Sequence, residues 1–292
     1  MATFPQSIQW YTVAMNRFVF ILAVLLLHAC ESETQVNLGP AKSVDWGVIS
    51  DPKDSNQQSA VHLFDLLNNA PLPPHSQLKW LPDQNKPHTA VLWLDKAHFE
   101  LQIIAHPQVG ISPRSAYAAN ALTVLLGSGF VSQSKSLDPV GLVKVNDQTL
   151  SPVQVHGYTR IVGVTDQDVG VVHRDDYQGQ LFHSALQLGP GIIEQHKLDI
   201  SERDLKREKY FRAFVGLCTD HYLLGFSTQP VHLRTIGEEL VELFGRENRH
   251  CAEVVNIAGD RQAVFMMKSD NDVIYHGDIS GHKVSVLGFT AK

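Results

Sequence analysis

From His88 onward the chain is a series of short apolar or alternating runs, among them TAVLWLD, FELQIIA, ALTVLL, RIVGV, FRAFVGLC, YLLGFS and QAVFMM, separated by Gly, Pro, Asn and Asp. Runs of that length between turn formers are strands, because period-two alternation sets one face of a pleated sheet on the core. Helices are scarce by comparison. The pattern predicts one over Arg114 to Ala121 and a second after Thr235. The second has its own start signal, since the Thr235 hydroxyl and the Glu238 carboxylate in Thr235-Ile236-Gly237-Glu238 can form a capping box. Ile236, Leu240, Leu243 and Phe244 then share a face, and Gly245 can end the helix. Many strands with few helices predict an α+β domain with a mixed β-sheet core, not a doubly wound sheet.

What precedes this body reads differently. Phe18 to Ala29 is an unbroken apolar stretch of 12 residues after Arg17, too short for a bilayer helix of about 20 residues. A basic residue, a short apolar core and a small residue before the end are the parts of a secretory signal. Leu27-His28-Ala29-Cys30 resembles a bacterial lipobox, which makes Cys30 the lipidated N-terminus of the mature chain. Met15-Asn16-Arg17 is a better start than residues 1–14, which hold no Lys or Arg. The expected organisation is a signal over 1–29, a lipidated flexible tether over 30–57, a helix and Pro-rich lead-in over 58–88, and the folded domain over 89–292. The location this implies is an exported protein held to a membrane through Cys30. Glu31 after the cysteine favours the outer membrane, facing the periplasm of a Gram-negative cell.

With 24 Lys and Arg against 30 Asp and Glu, the chain carries a net charge of −6. It therefore lacks the basic footprint of a nucleic-acid binder. Cys218 and Cys251 remain beside Cys30; they read either as a disulfide suited to an oxidising compartment or as two buried thiols. No Gly-x-Ser-x-Gly, Walker loop or CxxC pair is present, and the residues name no cofactor. His173, Asp175, Asp176 and His183 cluster in HRDDYQGQLFH, but at no spacing that makes a metal set. Their Asp-Asp and Gln-Gly-Gln composition reads as a hairpin loop. Asp220 and His221 read as the turn of another hairpin.

Three stretches in order, RSAYAANALTVLLGSGFV with DPVGLVKVND, then ALQLGPGII, then FRAFVGLC through VVNIAGDRQA, resemble the phosphodiester glycosidase domain family. The resemblance spans about Thr89 to Phe289. The family has Asn-Gly-Gly-x-Phe after its first strand and Asn-Leu-Asp-Gly-Gly at its last. Here Leu126 stands at the Asn position, Ser128 at the second glycine, Ala258 at the Asp and Asp260 at the last glycine. Gly189-Pro190 and Arg212 match.

The resemblance implies hydrolysis of a sugar 1-phosphate diester, through an oxocarbenium-like transition state that a carboxylate stabilises. Arg212 would clamp the phosphate with its guanidinium fork; otherwise it is a sheet-edge arginine paired with an acid. Ser128 and Gly129, Gly189, and the turn holding Asn256, Gly259 and Arg261 would cradle the ligand, or else are ordinary strand-end turns. Asp260 would replace the missing family carboxylate, or form a solvated pair with Arg261. The expected ligand is a glycan or sugar phosphate. Loss of the family Asn and Asp keeps a second expectation open, a non-catalytic relative that binds glycans or serves envelope assembly.

Overall fold

The computed structural model describes residues 57–82, 86–132, 137–270 and 272–292. The expected signal, Met15, Cys30 and all of the expected tether before residue 57 lie outside the described residues. Among the described residues no helix is long and apolar enough to cross a membrane.

Among the described residues the fold is α+β, with three sheets and three helices. A seven-stranded sheet runs β1 (Ser76–Leu81), β2 (Thr89–Asp95), β13 (His221–Ser227), β12 (Arg212–Cys218), β14 (Cys251–Gly259), β10 (Gly191–Glu194), β11 (Lys197–Leu198). A second sheet runs β16 (Asp272–His276), β15 (Phe265–Ser269), β4 (Val124–Ser128), β17 (Ser285–Ala291), β3 (Phe99–Ala105). The third runs β6 (Gln148–Ser151), β5 (Val143–Val145), β9 (Ser184–Leu188), β7 (Arg160–Val164), β8 (Val169–His173).

Sequence explains the layering. TAVLWLD is apolar without alternation, and β2 is buried from Thr89 to Leu94, covered on both faces. Its Leu92 and Leu94 join Leu101, Leu126, Val162, Leu186, Val215 and Ile257 in one core fed by all three sheets. Its Val91 and Trp93 face helix α3 (Leu233–Glu247), whose Ile236, Leu240, Leu243 and Phe244 line the side predicted for them. FELQIIA alternates, and β3 alternates between buried and more open positions at a sheet edge. Helix α2 (Pro113–Ala119) covers the outer face of the second sheet through Ala116 and Tyr117 on Leu125, Met266 and Val286. Helix α1 (Gln57–Asn69) sends Leu63 and Leu67 into the main core. Between prolines, β1 forms only as the edge strand of its sheet, where missing N–H donors are tolerated.

Several expectations change. The sheets were expected to be mixed, but every described ladder is antiparallel. A parallel pair needs a long crossover, usually helical, and helices are few here. HRDDYQGQLFH is no hairpin loop, because β9 pairs with β7 and β5 while β8 pairs with β7 on its other side. Its charges close locally: Arg174 Nε donates to Asp175 at 2.8 Å, and that bond holds the Asp175 carboxyl below its ordinary range.

Helix α3 begins two residues before the expected capping box, with His232 as N-cap and no side-chain cap bond of its own. The buried Asp204 substitutes from outside, accepting the Arg234 N–H at 3.0 Å. The helix runs past Gly245 and ends at Asn248, in the left-handed region with φ of 51°. Asn reaches that region more easily than most residues. The two open readings of the cysteines resolve, since Cys218 and Cys251 are ladder partners joined by a disulfide. Their separation of 33 residues in sequence makes the bridge worth about 4 kcal/mol through the unfolded chain.

Candidate functional site

The end of β14 gathers stretches that are remote in sequence. Gly129, beyond β4, donates its N–H to Ile257 O at 3.0 Å. Gly189, beyond β9, donates to Asn256 O at 2.9 Å, and Asn256 N–H returns to Pro190 O at 3.1 Å. Arg212 opens β12 directly opposite Gly259, and the Asp260 N–H reaches Phe211 O at 3.0 Å. Gly129, Gly189, Arg212 and Asp260 therefore all stand beside the last residues of β14.

Arg212 is the residue with chemistry left to do. Its guanidinium lies over Gly259, where an added Cβ would sit 3.6 Å from Nη1, and 4.9 Å from the centre of the Tyr210 ring. Tyr210 adds a cation–π attraction of roughly 0.5–2 kcal/mol. Its hydroxyl is tied to Glu208 at 3.1 Å. Burial pulls the Arg212 pKa down, while the charges of Asp204 and Asp260 oppose that fall. Arginine still stays charged at any physiological pH. Its Nε is buried and has no hydrogen-bond partner among the described residues. A buried donor without a partner costs about 1–3 kcal/mol, more when charged.

Asp260 follows in the same turn, at φ of 48°, where few non-glycine residues sit. The residue as a whole is exposed. Enough protein nonetheless crowds its carboxyl that desolvation raises the pKa, against the pull of Arg212 and with a push from Glu208. The charges that act on Asp260 are those of Arg212, Glu208 and Arg261, a wider set than the expected solvated pair with Arg261 alone.

The other expected residues are committed internally. Ser128 is fully buried and shares a hydrogen bond with the Ser285 hydroxyl at 3.0 Å. Gly129 has φ of 85°, and a Cβ there would meet Ser285 Oγ at 2.7 Å, so only glycine fits. Gly189 has φ of 130°, likewise a glycine conformation. The N–H groups of Gly129, Gly189 and Asp260 are all spent on protein carbonyls, so they build the strand end and do not form an open anion nest. Asn256 is 1% exposed; its Nδ2 donates to Gly189 O at 3.2 Å while its Oδ1 has no partner among the described residues. Arg261 is exposed, and its carbonyl accepts from the buried Lys283 Nζ at 2.6 Å.

Sequence reading passed over Tyr210 and Glu208, although Glu-Lys-Tyr-Phe-Arg places an aromatic two residues before Arg212, on the same strand-like face. It also left Gln187 without a role. Gln187 holds two loops together: its Oε1 accepts from Leu142 and Gln154 N–H groups, and its Nε2 donates to the carbonyls of Gln154 and Tyr158. Nearby, the buried Arg160 pairs with Asp199 at 2.8 Å and Glu194 at 3.1 Å, with Glu253 at 3.7 Å. This arginine has its acids in place and needs no ligand.

A cleft of about 640 Å³ opens elsewhere, lined among others by Gln102, His106, Asn146, Asp166 and His183. None of the expected site residues lines it. Arg212, with its unpartnered Nε, marks the stronger site, because among the described residues none that lines the cleft has a buried polar atom without a partner.

No protein-family model matches the chain, and no curated protein matches it in sequence at a significant level. Solved structures do match. The catalytic domain of zebrafish N-acetylglucosamine-1-phosphodiester α-N-acetylglucosaminidase, auto-inhibited by its pro-peptide, aligns with a TM-score of 0.56 and 10% identity, over 77% of this chain and 87% of that one. A hypothetical protein from Synechocystis aligns with a TM-score of 0.49 and 9% identity, over 74% of this chain and 61% of its own. The chain therefore has a phosphodiester glycosidase-like fold. At 10% identity the likeness speaks to fold and not to chemistry.

Proposed function

We propose that this chain is an exported, lipid-anchored hydrolase that cleaves sugar 1-phosphate diesters of envelope or extracellular glycans. The observation that carries the reading is Arg212, a half-buried guanidinium with an unpartnered Nε, at the end of β14 where its charge acts on the Asp260 carboxyl. The reaction needs those two groups. A guanidinium fork holds two oxygens of the departing phosphate, and a carboxylate offsets positive charge at the glycosidic carbon. Phosphate leaves readily, so a strong general acid is not required. The likeness to a domain that acts on an N-acetylglucosamine 1-phosphodiester supports the substrate class.

One observation favours a second reading, a glycan-binding or envelope assembly module without catalysis. Leu126 and Ala258, which stand where the family carries Asn and Asp, are fully buried in the apolar core. Turnover separates the two readings. The full chain, purified from membranes in detergent, is expected to release free sugar from a panel of sugar 1-phosphate diesters, followed by chromatography of the products. Saturable binding across the panel with no release would sustain the second reading instead.

The anchor is tested in cells. Cys30→Ser is expected to abolish incorporation of labelled palmitate and to move the protein out of the membrane fraction. Unchanged labelling would remove the anchor from the proposal.

A further inference from the structure

The seven-stranded sheet carries a second cluster at its opposite end. Arg212, Gly259, Ser227 and Thr89 mark one end of the neighbouring strands; Asp95, His221, Cys218 and Cys251 mark the other. The strands between span six residue steps, roughly 20 Å at about 3.3 Å per residue. At that far end, His75 before β1, Asp95 closing β2 and His98 in the β2–β3 turn each offer a ligand atom, all within 4.8 Å of one another.

We propose that His75, Asp95 and His98 bind a divalent transition-metal ion of the zinc class. Two imidazoles and one carboxylate are a borderline-soft donor set, suited to zinc and its neighbours and not to magnesium or calcium. Around a tetrahedral zinc with bonds near 2.1 Å, ligand atoms lie about 3.4 Å apart, a separation the three can reach by contracting and turning one ring. Three protein ligands leave a fourth position for water.

The frame around the set is fixed. Asp95 Oδ1 accepts the Ala97 N–H at 2.9 Å, which leaves Oδ2 facing His98 Nε2 at 3.9 Å. The His98 N–H closes the turn on Asp95 O at 3.0 Å, and its carbonyl receives the Lys292 N–H at 2.9 Å. His75 O accepts the Asp95 N–H at 3.2 Å, extending the β1–β2 ladder by one step. His75 holds φ of 60°, and its ring stacks on His98 with centroids 3.5 Å apart and planes 12° from parallel. Parallel rings direct their in-plane lone pairs side by side. Metal binding therefore requires one ring to turn about χ2, and both residues are exposed, so that turn displaces only water. His221 stands next in the row, ladder-paired with Asp95 on the other side.

The sequence conceals this set because His75 precedes β1, Asp95 closes β2 and His98 sits in the turn that follows, with no motif spacing. Its distance from Arg212 makes it a second site and not part of the first. Together with the Cys218–Cys251 bridge it would hold one end of the sheet shut.

Calorimetric titration of the full chain with Zn²⁺ is expected to show one site of micromolar or tighter affinity. Co²⁺ should give the visible absorption of a low-symmetry N,O site, and the upfield pattern of a stacked histidine pair should disappear from the proton NMR spectrum. His98→Ala and Asp95→Asn should each weaken Zn²⁺ binding at least about tenfold, with unchanged circular dichroism. His156→Ala, at an exposed loop position outside the cluster, should not. No binding by the parent chain, or an equal loss in His156→Ala, would overturn the proposal; with fifteen histidines in the chain that control is required.

Discussion

Arg212→Ala is expected to lower kcat/KM on a sugar 1-phosphate diester by about 10³-fold, the scale on which a single arginine stabilises charge on a phosphate in the transition state. Arg212→Lys should recover only part of that loss, because an ammonium keeps the charge and loses the fork. Stability should move little or rise. The guanidinium is desolvated, its Nε bonds to nothing among the described residues, and its removal relieves that burial while leaving the main-chain bond from Arg212 N–H to Ser227 Oγ at 2.7 Å in place. A thermal melt within a few degrees of the parent, beside a collapsed rate, is the signature to measure. A collapsed melt, or full activity, would count against Arg212 as the phosphate clamp. On the binding-module reading, the same substitution weakens phosphoglycan affinity and there is no rate to lose.

How much of this could be read from the chain depends on whether the signal is local. Apolar runs such as TAVLWLD announced β2 because two buried faces leave no polar position in the strand. Helix α3 was legible from Ile236, Leu240, Leu243 and Phe244, yet its start was not, because the acceptor at its N-terminus is Asp204, thirty residues earlier in the chain. Register and sheet membership were invisible for the same reason. Nothing within HRDDYQGQLFH says that β9 lies on the far side of β7.

The site divides along the same line. Arg212, Gly129, Gly189 and Asp260 were visible through motif likeness, and the structure brings them to one strand end. What sequence could not foresee is how each is employed. Glycine N–H groups that resemble an anion nest on paper are satisfied by Ile257 O and Asn256 O, bonds that exist only because β14 passes between the two turns. Ser128, which invites a substrate hydroxyl contact, pairs with Ser285 from β17, 157 residues away. Chemical freedom is thus a tertiary property, and among the expected residues it concentrates in Arg212 and Asp260.

Asp260 gives the second large effect. Asp260→Asn is expected to reduce kcat by about 10²–10³-fold, as for loss of one preorganised electrostatic partner of the transition state, with KM less affected. The charge, not the shape, is at issue, since Asn also accepts the left-handed backbone that Asp260 occupies. The pH profile identifies the carboxylate. Offsetting an oxocarbenium requires the ionised form, and desolvation holds the Asp260 pKa above the ordinary range despite Arg212. Activity should therefore fall as pH drops through a midpoint higher than the about 3.9 of a free aspartate, and Asp260→Asn should erase that limb. Stability runs the other way. A carboxyl with a raised folded pKa contributes stability below its unfolded pKa and loses it as pH rises through the folded value. At neutral pH the charged form thus opposes folding, and Asp260→Asn should melt no lower than the parent, and somewhat higher. A slower enzyme that is at least as stable would separate a working carboxylate from a structural one; an unaltered acid limb would assign the titration to another group and remove Asp260 from the reaction.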